Sequence, residues 1–508
     1  MRNLLDLLDH AATKYVSACC AVSAATGLEL NFQDLRTRAE QVAAALTGRF
    51  RVEPGQHVAL LLPNVLEFLP LYFGIQRAGA VAVPVNARLR AAELEFILED
   101  SEAQALFIHP TTLAAARGAL EKLAGLKNLV AVDFKPGQEL PAGAIRFEDL
   151  LAKASAPPPR PDPGRDEVCT IIYTSGTTGR PKGAMLTHGN ILYNVEATVS
   201  AHGLRPGDAH LLVVPLFHVT GLNTIAPTSL LQGGKLVVCN QIDPEDLIET
   251  IGRFGCTTFF GVPTTFYLLT SLKGVDAKKL ATLRLICYSG APMSPQTIEK
   301  LRAFFPGVEL HNFFGLTETT SVSSVLPDDQ AISRAESVGL PPPGLELRIV
   351  DDEDRPLPPK AVGELVIRGP SVLKGYYKRP EATAEALRGG WFHTGDTAYL
   401  DEEGFLFLQG RKKELIIVAG ENVYPIEVEN ALCAHPAVQE AAAFGKPDKA
   451  LGEVVHAAVV LRPGQQAAER DLKRHVMERL AAFKQPRAIR ILDKLPRNAS
   501  GKVLKRDL

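Results

Sequence analysis

The segment YTSGTTGRPKG at residues 173–183 combines the residue types that bind phosphate groups. Three glycines, four hydroxyl residues and two cations occupy positions 174–183. Glycine permits backbone conformations that other residues avoid, and consecutive N–H groups in such a turn form a concave anion site. The hydroxyls and Lys182 add donors for phosphate oxygens. An isolated glycine-rich loop is more often an ordinary surface turn, but this content of hydroxyls and cations favours binding of a polyphosphate.

The same segment differs from a Walker A loop. That loop has a glycine, four residues and then Gly-Lys-Ser/Thr. Here Pro181 precedes Lys182 and Gly183 follows it. Because no hydroxyl follows the lysine to hold a metal ion, any Mg²⁺ ligand must come from elsewhere, which argues against a GTPase or a P-loop kinase.

Two further polar segments follow apolar runs that are typical of strands. Residues 290–292 (GAP) follow the run Leu283–Tyr288, and residues 312–318 (NFFGLTE) overlap the end of the run Val308–Phe313. In open α/β sheets, ligands bind in the crevice beyond the carboxyl ends of the strands. Both segments are therefore candidates for a ligand site, although a plain strand-to-helix turn is the commoner use of such a sequence.

The segment 312–318 contains side chains suited to several parts of a nucleotide. The ring of Phe314 offers a flat face to a nucleobase, and the amide of Asn312 suits the edge of the base. Thr317 has a hydroxyl for a phosphate, and Glu318 has the hard carboxylate oxygens that Mg²⁺ prefers. Taken singly, each residue also suits a core aromatic or a solvated charge.

Two segments nearer the carboxyl terminus add a carboxylate and a cation. Asp396 ends WFHTGD at 391–396, and Arg411 lies in GRKKE at 410–414. A carboxylate can accept hydrogen bonds from both hydroxyls of a ribose, and Arg411 would add positive charge near the phosphates. A turn-capping aspartate and a solvated basic run are the common alternatives.

The elements that must position these residues alternate between strands and helices from about residue 54 to 315. This alternation predicts two largely parallel sheets with helices on both faces, and thus an α/β fold. The expected strands are His57–Leu62, Val81–Val85, Ala105–Ile108, Leu129–Phe134, Thr170–Tyr173, Leu211–Pro215, Lys235–Cys239, Thr257–Gly261, Leu283–Tyr288 and Val308–Phe313. Helices are expected at Asn64–Arg77, Pro244–Phe254 and Pro295–Phe305, among others.

The pattern changes twice after residue 336. Glycine and proline separate short β-like runs over 337–409, which predicts a small β-rich subdomain. From residue 410 to 508 helices and strands alternate again, and this length suffices for a separate α+β domain. We therefore expect a large amino-terminal domain at 1–409, followed by a small carboxyl-terminal domain at 410–508.

Composition excludes several classes of protein. At 508 residues, with 46% hydrophobic and 22% charged residues, the chain has the composition of an ordinary globular protein. A net charge of −2 gives no general electrostatic case for nucleic acid. Residues 211–234 lack charged side chains but contain prolines and glycines, so we expect buried protein and no transmembrane segment. Seven scattered cysteines predict reduced thiols and a cytoplasmic protein.

Five of these segments occur in one order along nearly the whole chain: YTSGTTGRPKG, FGLTE, HTGD, GRKKE and PRNASGK at 496–502. Together they resemble the motifs of the AMP-forming acyl-CoA synthetases, an adenylating superfamily that also contains luciferases and peptide-synthetase adenylation domains. The resemblance implies that the domain at 410–508 is a mobile cap over an active site between the two domains. It places the hinge at Lys413.

The resemblance also implies roles for individual residues. It implies catalytic roles for Lys502, Thr317, Glu318 and His218, with Glu318 as the metal ligand. It implies that ATP is bound by Thr174, Ser175, Gly176, Thr177, Thr178, Gly179, Lys182, Gly290, Ala291, Pro292, Asn312, Phe313, Phe314, Gly315, Thr317, Asp396, Arg411 and Lys502. It implies an acyl pocket at His218, Val219, Gly221, Leu222, Gly315 and Leu316, and CoA contacts at Gly420, Glu421 and Asn422.

The function implied is that of an ATP-dependent, magnesium-requiring acyl-CoA ligase, with CoA as co-substrate. Residues 211–234 and 254–272 contain no Asp, Glu, Lys or Arg, and His218 is the one residue in them that could carry a positive charge. Because a buried dicarboxylate would need a partner cation, we expect an apolar acid. A medium- or long-chain fatty acid is the first candidate and a benzoate- or cinnamate-type acid the second. An adenylation enzyme that loads a carrier protein is a further alternative, and the sequence leaves the oligomeric state open, a homodimer included.

Overall fold

The computed structural model describes residues 1–508 except 123–125, 127, 136, 154–155, 175–179, 291–292, 294, 420, 449–450 and 499–500. Within these residues the chain forms four sheets. Two of them are large and mainly parallel, as the alternation of apolar runs predicted.

Sheet I contains the strands on both sides of the predicted phosphate loop. From Val168–Thr174 to its far edge the strands are parallel, and the other two are antiparallel additions. In spatial order the described strands are Gly375–Tyr376, Lys182–Thr187, Val168–Thr174, Val81–Pro84, His57–Leu61, Ala105–Ile108, Asn128–Ala131 and Ala144–Arg146.

Sheet II contains the strand that leads into the segment 312–318. It is parallel except for one antiparallel strand at each edge. In spatial order the described strands are Ser324–Leu326, Glu309–Phe314, Leu285–Tyr288, Thr258–Gly261, Ala209–Leu212, Lys235–Val238, Cys19–Ser23 and Glu29–Asn31.

Helices connect the parallel strands, because a parallel neighbour can be reached only by a crossover. The largest buried cluster includes Leu60 of sheet I, Leu212 of sheet II and the inner faces of helices between them, so the two sheets share one core. The described α-helices are Leu4–Lys14, Phe32–Gly48, Phe68–Arg77, Ala91–Asp100, Pro110–Leu120, Phe147–Ala152, His188–His202, Ala226–Leu231, Pro244–Phe254, Pro263–Thr270, Pro295–Phe304, Pro380–Ala386, Pro425–Cys433 and Glu469–Met477.

Sheets III and IV are smaller. Sheet III is antiparallel throughout and realises the predicted β-rich subdomain, with the strands Glu346–Val350, Gly363–Arg368, Phe392–Leu400 and Leu406–Arg411. Sheet IV lies in the carboxyl-terminal region, with the strands Glu421–Val423, Ile416–Val418, Gly452–Leu461, Val438–Asp448 and Ala488–Ile491. The fold class is as predicted, whereas the exact boundary at 409/410 stays a prediction.

Most element boundaries differ by one or two residues from the sequence-based expectation, and a few differ by more. The strand expected at Leu211–Pro215 is observed at Ala209–Leu212. The strand expected at Leu129–Phe134 ends at Ala131, and Asp133 then adopts a left-handed conformation with φ of 57°. The helix expected at Asn64–Arg77 begins only at Phe68. The residues before Phe68 form a turn in which Asn64 makes tertiary hydrogen bonds.

The side chain of Asn64 joins the two large sheets. It is buried and follows strand His57–Leu61 of sheet I. Its amide nitrogen donates to the carbonyl oxygens of Val214 (3.2 Å) and Cys239 (3.1 Å), which follow strands of sheet II. Its carbonyl oxygen accepts from the backbone N–H of Leu216 at 2.8 Å. These bonds satisfy backbone groups where the sheets end and fix one sheet relative to the other.

Buried histidines predict a loss of stability in mild acid. Burial lowers the pKa of His188 to about 4, and its Nδ1 accepts the backbone N–H of Leu4 at 3.3 Å. Below about pH 6.5 the unfolded chain therefore binds a proton that the native chain does not, so the free energy of unfolding falls as pH falls towards 4. For His188 this loss amounts to about 2 kcal/mol between pH 7.5 and pH 5.

We expect His188→Asn, whose carbonyl oxygen can replace Nδ1 as acceptor, to lose less stability than the wild type between pH 7.5 and pH 5. Urea denaturation followed by circular dichroism measures this difference. His10→Asn is the control because His10 is exposed on helix Leu4–Lys14. An equal pH effect in wild type and His188→Asn would contradict the assignment.

Candidate active site

The two ends of the predicted phosphate loop lie side by side. Strands Val168–Thr174 and Lys182–Thr187 are antiparallel, with Thr174 opposite Lys182. The predicted phosphate-binding residues Ser175, Gly176, Thr177, Thr178 and Gly179 lie outside the described residues. At the end of the first strand, Thr174 Oγ1 donates a hydrogen bond to Glu318 Oε1 at 3.4 Å. The structure thus brings Thr174, at the end of a strand of sheet I, next to Glu318, the predicted metal ligand that follows a strand of sheet II.

Glu318 has the surroundings of a carboxylate that can accept a metal ion. Its Oε1 also accepts a hydrogen bond from the Tyr376 hydroxyl at 3.1 Å, and it forms no ion pair with the described residues. The described residues contain no group of three or more His, Cys, Asp or Glu side chains that could hold a metal. Mg²⁺ commonly binds through one or two carboxylates, substrate phosphates and water, so Glu318 suits it.

The loop around Glu318 is tightly constrained. Thr317–Thr319 form a short 3₁₀ turn, and Thr320 and Ser321 follow with φ of 55° and 88°. Such left-handed conformations are strained for residues other than glycine, and they concentrate at functional sites. A Cβ atom on Gly315 would lie 1.1 Å from the carbonyl oxygen of Ser321. Glycine at 315 is therefore required by the close return of the chain.

The predicted ATP contacts Asn312, Phe313 and Phe314 differ in burial. Asn312 is buried, and its amide donates to the carbonyl oxygen of Ser337 at 3.2 Å. Phe314 is half-buried, whereas Phe313 is buried with its ring centre 5.6 Å from His202 and 6.2 Å from Phe260. Successive strand side chains point to opposite faces, and the Phe313 ring points into the core. Any contact of Phe313 with ATP would therefore use its backbone, and its role in ATP binding stays a prediction.

At the end of the neighbouring strand, Gly290 is exposed and has φ of 88°, a conformation that favours glycine. The predicted contacts Ala291 and Pro292 lie outside the described residues. Val262, 47% exposed, follows the next strand and approaches within 3.8 Å of the place where a Gly290 Cβ would lie. The side chain of Val262, which is apolar, thus faces solvent beside Gly290, a predicted ATP contact.

Asp396 and Arg411 are brought together by the register of sheet III. They lie opposite each other on adjacent antiparallel strands, and Arg411 Nε is 2.7 Å from Asp396 Oδ1. The other carboxylate oxygen, Oδ2, is buried and has no hydrogen-bond partner among the described residues. An unpaired buried acceptor is costly unless a ligand completes it. A ribose hydroxyl that donates a hydrogen bond to Oδ2 would satisfy this acceptor.

The cleft contains further charges close to Asp396. Burial raises the pKa of Asp396 to about 6, and the charges of Glu318 and Glu414 add to this effect, while Arg411 and Lys502 oppose it. Lys502 is solvent-accessible, but surrounding protein and the positive charge of Arg411 lower its pKa. Glu318, Arg411 and Lys502, predicted from separate motifs, therefore all lie within electrostatic range of Asp396.

The segments that surround Lys502 belong to the carboxyl-terminal region. Asn498 holds its backbone: the Lys502 N–H donates to Asn498 Oδ1 at 2.9 Å, and the Asn498 N–H donates to the Lys502 carbonyl at 2.9 Å. The predicted hinge residue Lys413 lies in the 3₁₀ turn Lys412–Glu414 between sheets III and IV. Its role as a hinge stays a prediction.

The predicted acyl site adjoins the Glu318 loop. His218 precedes the π-helical segment Thr220–Ile225, and Thr220 Oγ1 lies 2.9 Å from Ser321 Oγ. Burial lowers the pKa of His218 to about 4, and the positive charge of Arg88 contributes. His218 is thus neutral at physiological pH.

The other predicted acyl-site residues differ in exposure. Val219 is buried and Leu316 is half-buried, both in one apolar cluster. Gly221 has no room for a side chain because its Cβ would lie 2.3 Å from the Pro215 carbonyl oxygen. Leu222 lies in the main core.

The predicted CoA contacts Glu421 and Asn422 are exposed on strand Glu421–Val423, and Gly420 lies outside the described residues.

Sequence reasoning missed Tyr376, Arg88 and Asn64. Each reaches the site or its support from a segment between the motifs, and the aromatic pair at 376–377 was the only local signal for Tyr376.

Comparison with protein families agrees with this geometry. The model of the AMP-binding enzyme family matches residues 8–377, and the model of the AMP-binding enzyme C-terminal domain matches residues 427–502. The chain belongs to the AMP-binding enzyme family. As predicted, it is an AMP-forming ligase of acids and thiols.

Curated relatives of this AMP-binding enzyme cover nearly all of the chain. Feruloyl-CoA synthase from Amycolatopsis sp is 36% identical over 94% of this chain and 93% of its own length. Fatty acid–[acyl-carrier-protein] ligase ScoC from Streptomyces coeruleorubidus is 36% identical over 95% and 91%. Long-chain-fatty-acid–CoA ligase from Escherichia coli O157:H7 is 34% identical over 100% and 94%.

Solved structures of related enzymes superpose closely. The anthranilate CoA ligase AuaEII in complex with anthranoyl-AMP gives a TM-score of 0.89 at 28% identity, covering 99% of this chain and 95% of that one. O-succinylbenzoate coenzyme A synthetase (MenE) from Bacillus subtilis, in complex with ATP and magnesium ion, gives 0.86 at 30% identity, covering 100% and 99%. Among the described helices of the present enzyme, none has the length and apolarity needed to span a bilayer.

The unpaired oxygen of Asp396 gives a test by pH. If the ionised carboxylate binds ribose, its ionised fraction, and with it the affinity for ATP, falls about tenfold between pH 7.5 and pH 5 for a pKa of about 6. We expect Asp396→Asn to bind an ATP analogue more weakly at pH 7.5 and to lack this step in calorimetry. The phosphates of the nucleotide also titrate with pH, but they do so equally in the measurements on the wild type and on Asp396→Asn, so the comparison of the two proteins isolates the effect of Asp396.

Asp493→Asn, at an exposed carboxylate, is the matched control and should retain the wild-type profile. If Asp396→Asn and the wild type showed the same affinity at both pH values, the ribose assignment would be wrong.

Proposed function

We propose that this enzyme activates an apolar carboxylic acid with ATP and transfers the acyl group to CoA, with a medium- or long-chain fatty acid as the first candidate. The observation that carries the proposal is that Glu318, Arg411 and Lys502 all lie close enough to Asp396 for their charges to shift its pKa. Because both reactants are anionic, a site for their reaction must offset negative charge, and Arg411 and Lys502 supply cations there.

In the first half-reaction, a carboxylate oxygen attacks the α-phosphorus of ATP, and the bond to the β-phosphate breaks. Acyl-AMP forms and pyrophosphate leaves. Asp396 would accept hydrogen bonds from the ribose hydroxyls and orient the nucleotide. Lys502 would lie between the carboxylate and the α-phosphate, where its charge reduces their repulsion. Thr317 would donate to the α-phosphate, and Mg²⁺ held by Glu318 would supply further positive charge.

In the second half-reaction, the thiol attacks the carbonyl carbon of acyl-AMP, the thioester forms and AMP leaves. The thiol needs access to a face that Lys502 occupies in the first step. Rotation of the carboxyl-terminal domain about Lys413 would withdraw Lys502 and bring Glu421 and Asn422 towards the thiol substrate. Such a motion lets one site serve two steps.

An apolar acyl group is supported by the surroundings of the predicted pocket. Val219 and Leu316 line one apolar cluster, Val262 is exposed beside Gly290, and His218 is neutral. The same features accommodate an aryl acid, and relatives are named for feruloyl and for long-chain fatty-acid substrates. Arg88, whose charge acts on His218, is a reason to include acids with a second anionic group in any test.

CoA is the proposed acceptor, and a carrier protein is the alternative, as in the name of the relative ScoC. All seven cysteines are unpaired thiols. This supports a reducing compartment, and we include a cytoplasmic location in the proposal.

A panel of carboxylic acids tests the function. With ATP, Mg²⁺ and CoA, we expect AMP release and thioester formation to be greatest for medium- or long-chain fatty acids. The panel should also contain benzoates, cinnamates and dicarboxylates, each assayed with and without CoA. Preference for an aryl acid would refute the fatty-acid assignment, and adenylation without any thioester would favour a carrier-protein acceptor.

Lys502→Ala separates the two half-reactions. We expect pyrophosphate exchange to fall about a hundredfold or more, because a charge that offsets the repulsion is removed. Thioester formation from supplied acyl-adenylate should fall less than about tenfold, because that step does not use Lys502. Lys494→Ala, at an exposed lysine of the same terminal segment, is the control. Equal losses in both assays would refute this division of labour.

A further inference from the structure

Tyr376 touches two oppositely charged residues of the nucleotide site. Its hydroxyl donates to Glu318 Oε1 at 3.1 Å, and Lys182 Nζ lies 5.3 Å from the centre of its ring. Lys182 and Glu318 form no ion pair with each other or with other described residues. The Glu318 carboxylate thus accepts a hydrogen bond from the Tyr376 hydroxyl, and the Lys182 ammonium lies over the Tyr376 ring.

The segment that contains Tyr376 is firmly held. Tyr376 pairs with Ala184 as strand Gly375–Tyr376 extends sheet I, and the Tyr377 N–H donates to the Gly183 carbonyl at 2.8 Å. The Tyr376 N–H donates to Thr383 Oγ1 at 2.8 Å. The backbone of Tyr376 is therefore anchored next to the strand that ends the phosphate loop.

Three residues after Tyr376, Arg379 connects the same segment to sheet I through Asp100. Its Nη2 lies 2.6 Å from Asp100 Oδ1, and Tyr173 donates its hydroxyl hydrogen to Asp100 Oδ2 at 2.8 Å. Asp100 thus joins this segment to the strand that begins the phosphate loop. Both ends of the loop and the ring of Tyr376 belong to one hydrogen-bonded unit.

We propose that Tyr376 is a positioning residue that keeps Glu318 and Lys182 apart and separately available, the carboxylate for a metal ion and the ammonium for a phosphate. Without Tyr376, two opposite charges at the mouth of one loop would pair with each other and compete with ATP. Burial and the negative charge of Glu318 raise the pKa of Tyr376, so its hydroxyl stays a donor at neutral pH. The inference rests on the proposed nucleotide site.

Two substitutions separate the two contacts. Tyr376→Phe keeps the ring but removes the donor to Glu318, whereas Tyr376→Leu removes both contacts. The measurement is calorimetric binding of a non-hydrolysable α,β-methylene ATP, once with Mg²⁺ and once with EDTA. It reports binding and is independent of turnover.

For Tyr376→Phe, we expect the affinity in EDTA to stay within about twofold of the wild type, while the gain in affinity on adding Mg²⁺ falls about tenfold, the size of one hydrogen bond to a charged group. For Tyr376→Leu, we expect weaker binding under both conditions, because Lys182 can then pair with Glu318. Tyr377→Phe is the control, since the Tyr377 hydroxyl donates to the exposed Glu102 at 3.0 Å, and it should match the wild type.

An equal loss for Tyr376→Phe with and without Mg²⁺ would overturn the inference, as would wild-type behaviour. If Tyr376→Leu does not fold, as judged by circular dichroism, a double substitution decides: Tyr376→Phe should have no further effect on Mg²⁺-dependent binding in a Glu318→Gln background. An additive effect there would overturn the inference. Absence of analogue binding by the wild type would instead refute the proposed function itself.

Discussion

One buried carboxamide, that of Asn64, fixes the distance between the two large sheets at the edge where the site lies. Its three hydrogen bonds reach backbone groups after two strands of sheet II, while Asn64 itself follows a strand of sheet I. The site depends on that distance, because Thr174 belongs to sheet I and Glu318 follows sheet II. A small shift between the sheets would separate Thr174, at the start of the predicted phosphate loop, from Glu318, the predicted metal ligand. A polar group in the core is thus retained for register, at a cost that its full set of partners offsets.

The charges of the cleft are arranged in two different ways. Asp396 and Arg411 form a close ion pair, so that one carboxylate oxygen is held and the other is left for a ligand. Glu318 and Lys182 are kept from pairing, with Tyr376 between them. The first arrangement orients a group, and the second keeps two groups reactive towards different partners. Both are needed where a nucleotide must be bound firmly at its sugar and have its phosphates neutralised.

Much of the fold could be predicted, because parallel strands buried on both faces appear as continuous apolar runs between helices. The motif residues were predictable as an ordered set along the chain, since each of them taken singly also suits a surface turn, the core or a solvated charge. The orientation of the side chains could not be predicted from the motif, because the motif contains both Phe313 and Phe314. Alternation along the strand places the Phe313 ring in the core and leaves Phe314 half-buried. Tyr376, Arg88 and Asn64 escaped prediction because tertiary packing, and no local pattern, brings them to the site.

The crowding at Gly315 bears on how such an enzyme can change its substrate. Any larger residue there would collide with the Ser321 carbonyl oxygen, and the strained turn at Thr320 and Ser321 has no room to yield. Position 315 thus cannot take a side chain unless the backbone at Ser321 shifts. Substitutions around the site must instead be made at residues whose side chains face open space, of which Val262 is one. A mutant library that randomises Val262 and leaves Gly315 intact would explore specificity while most of its members still fold.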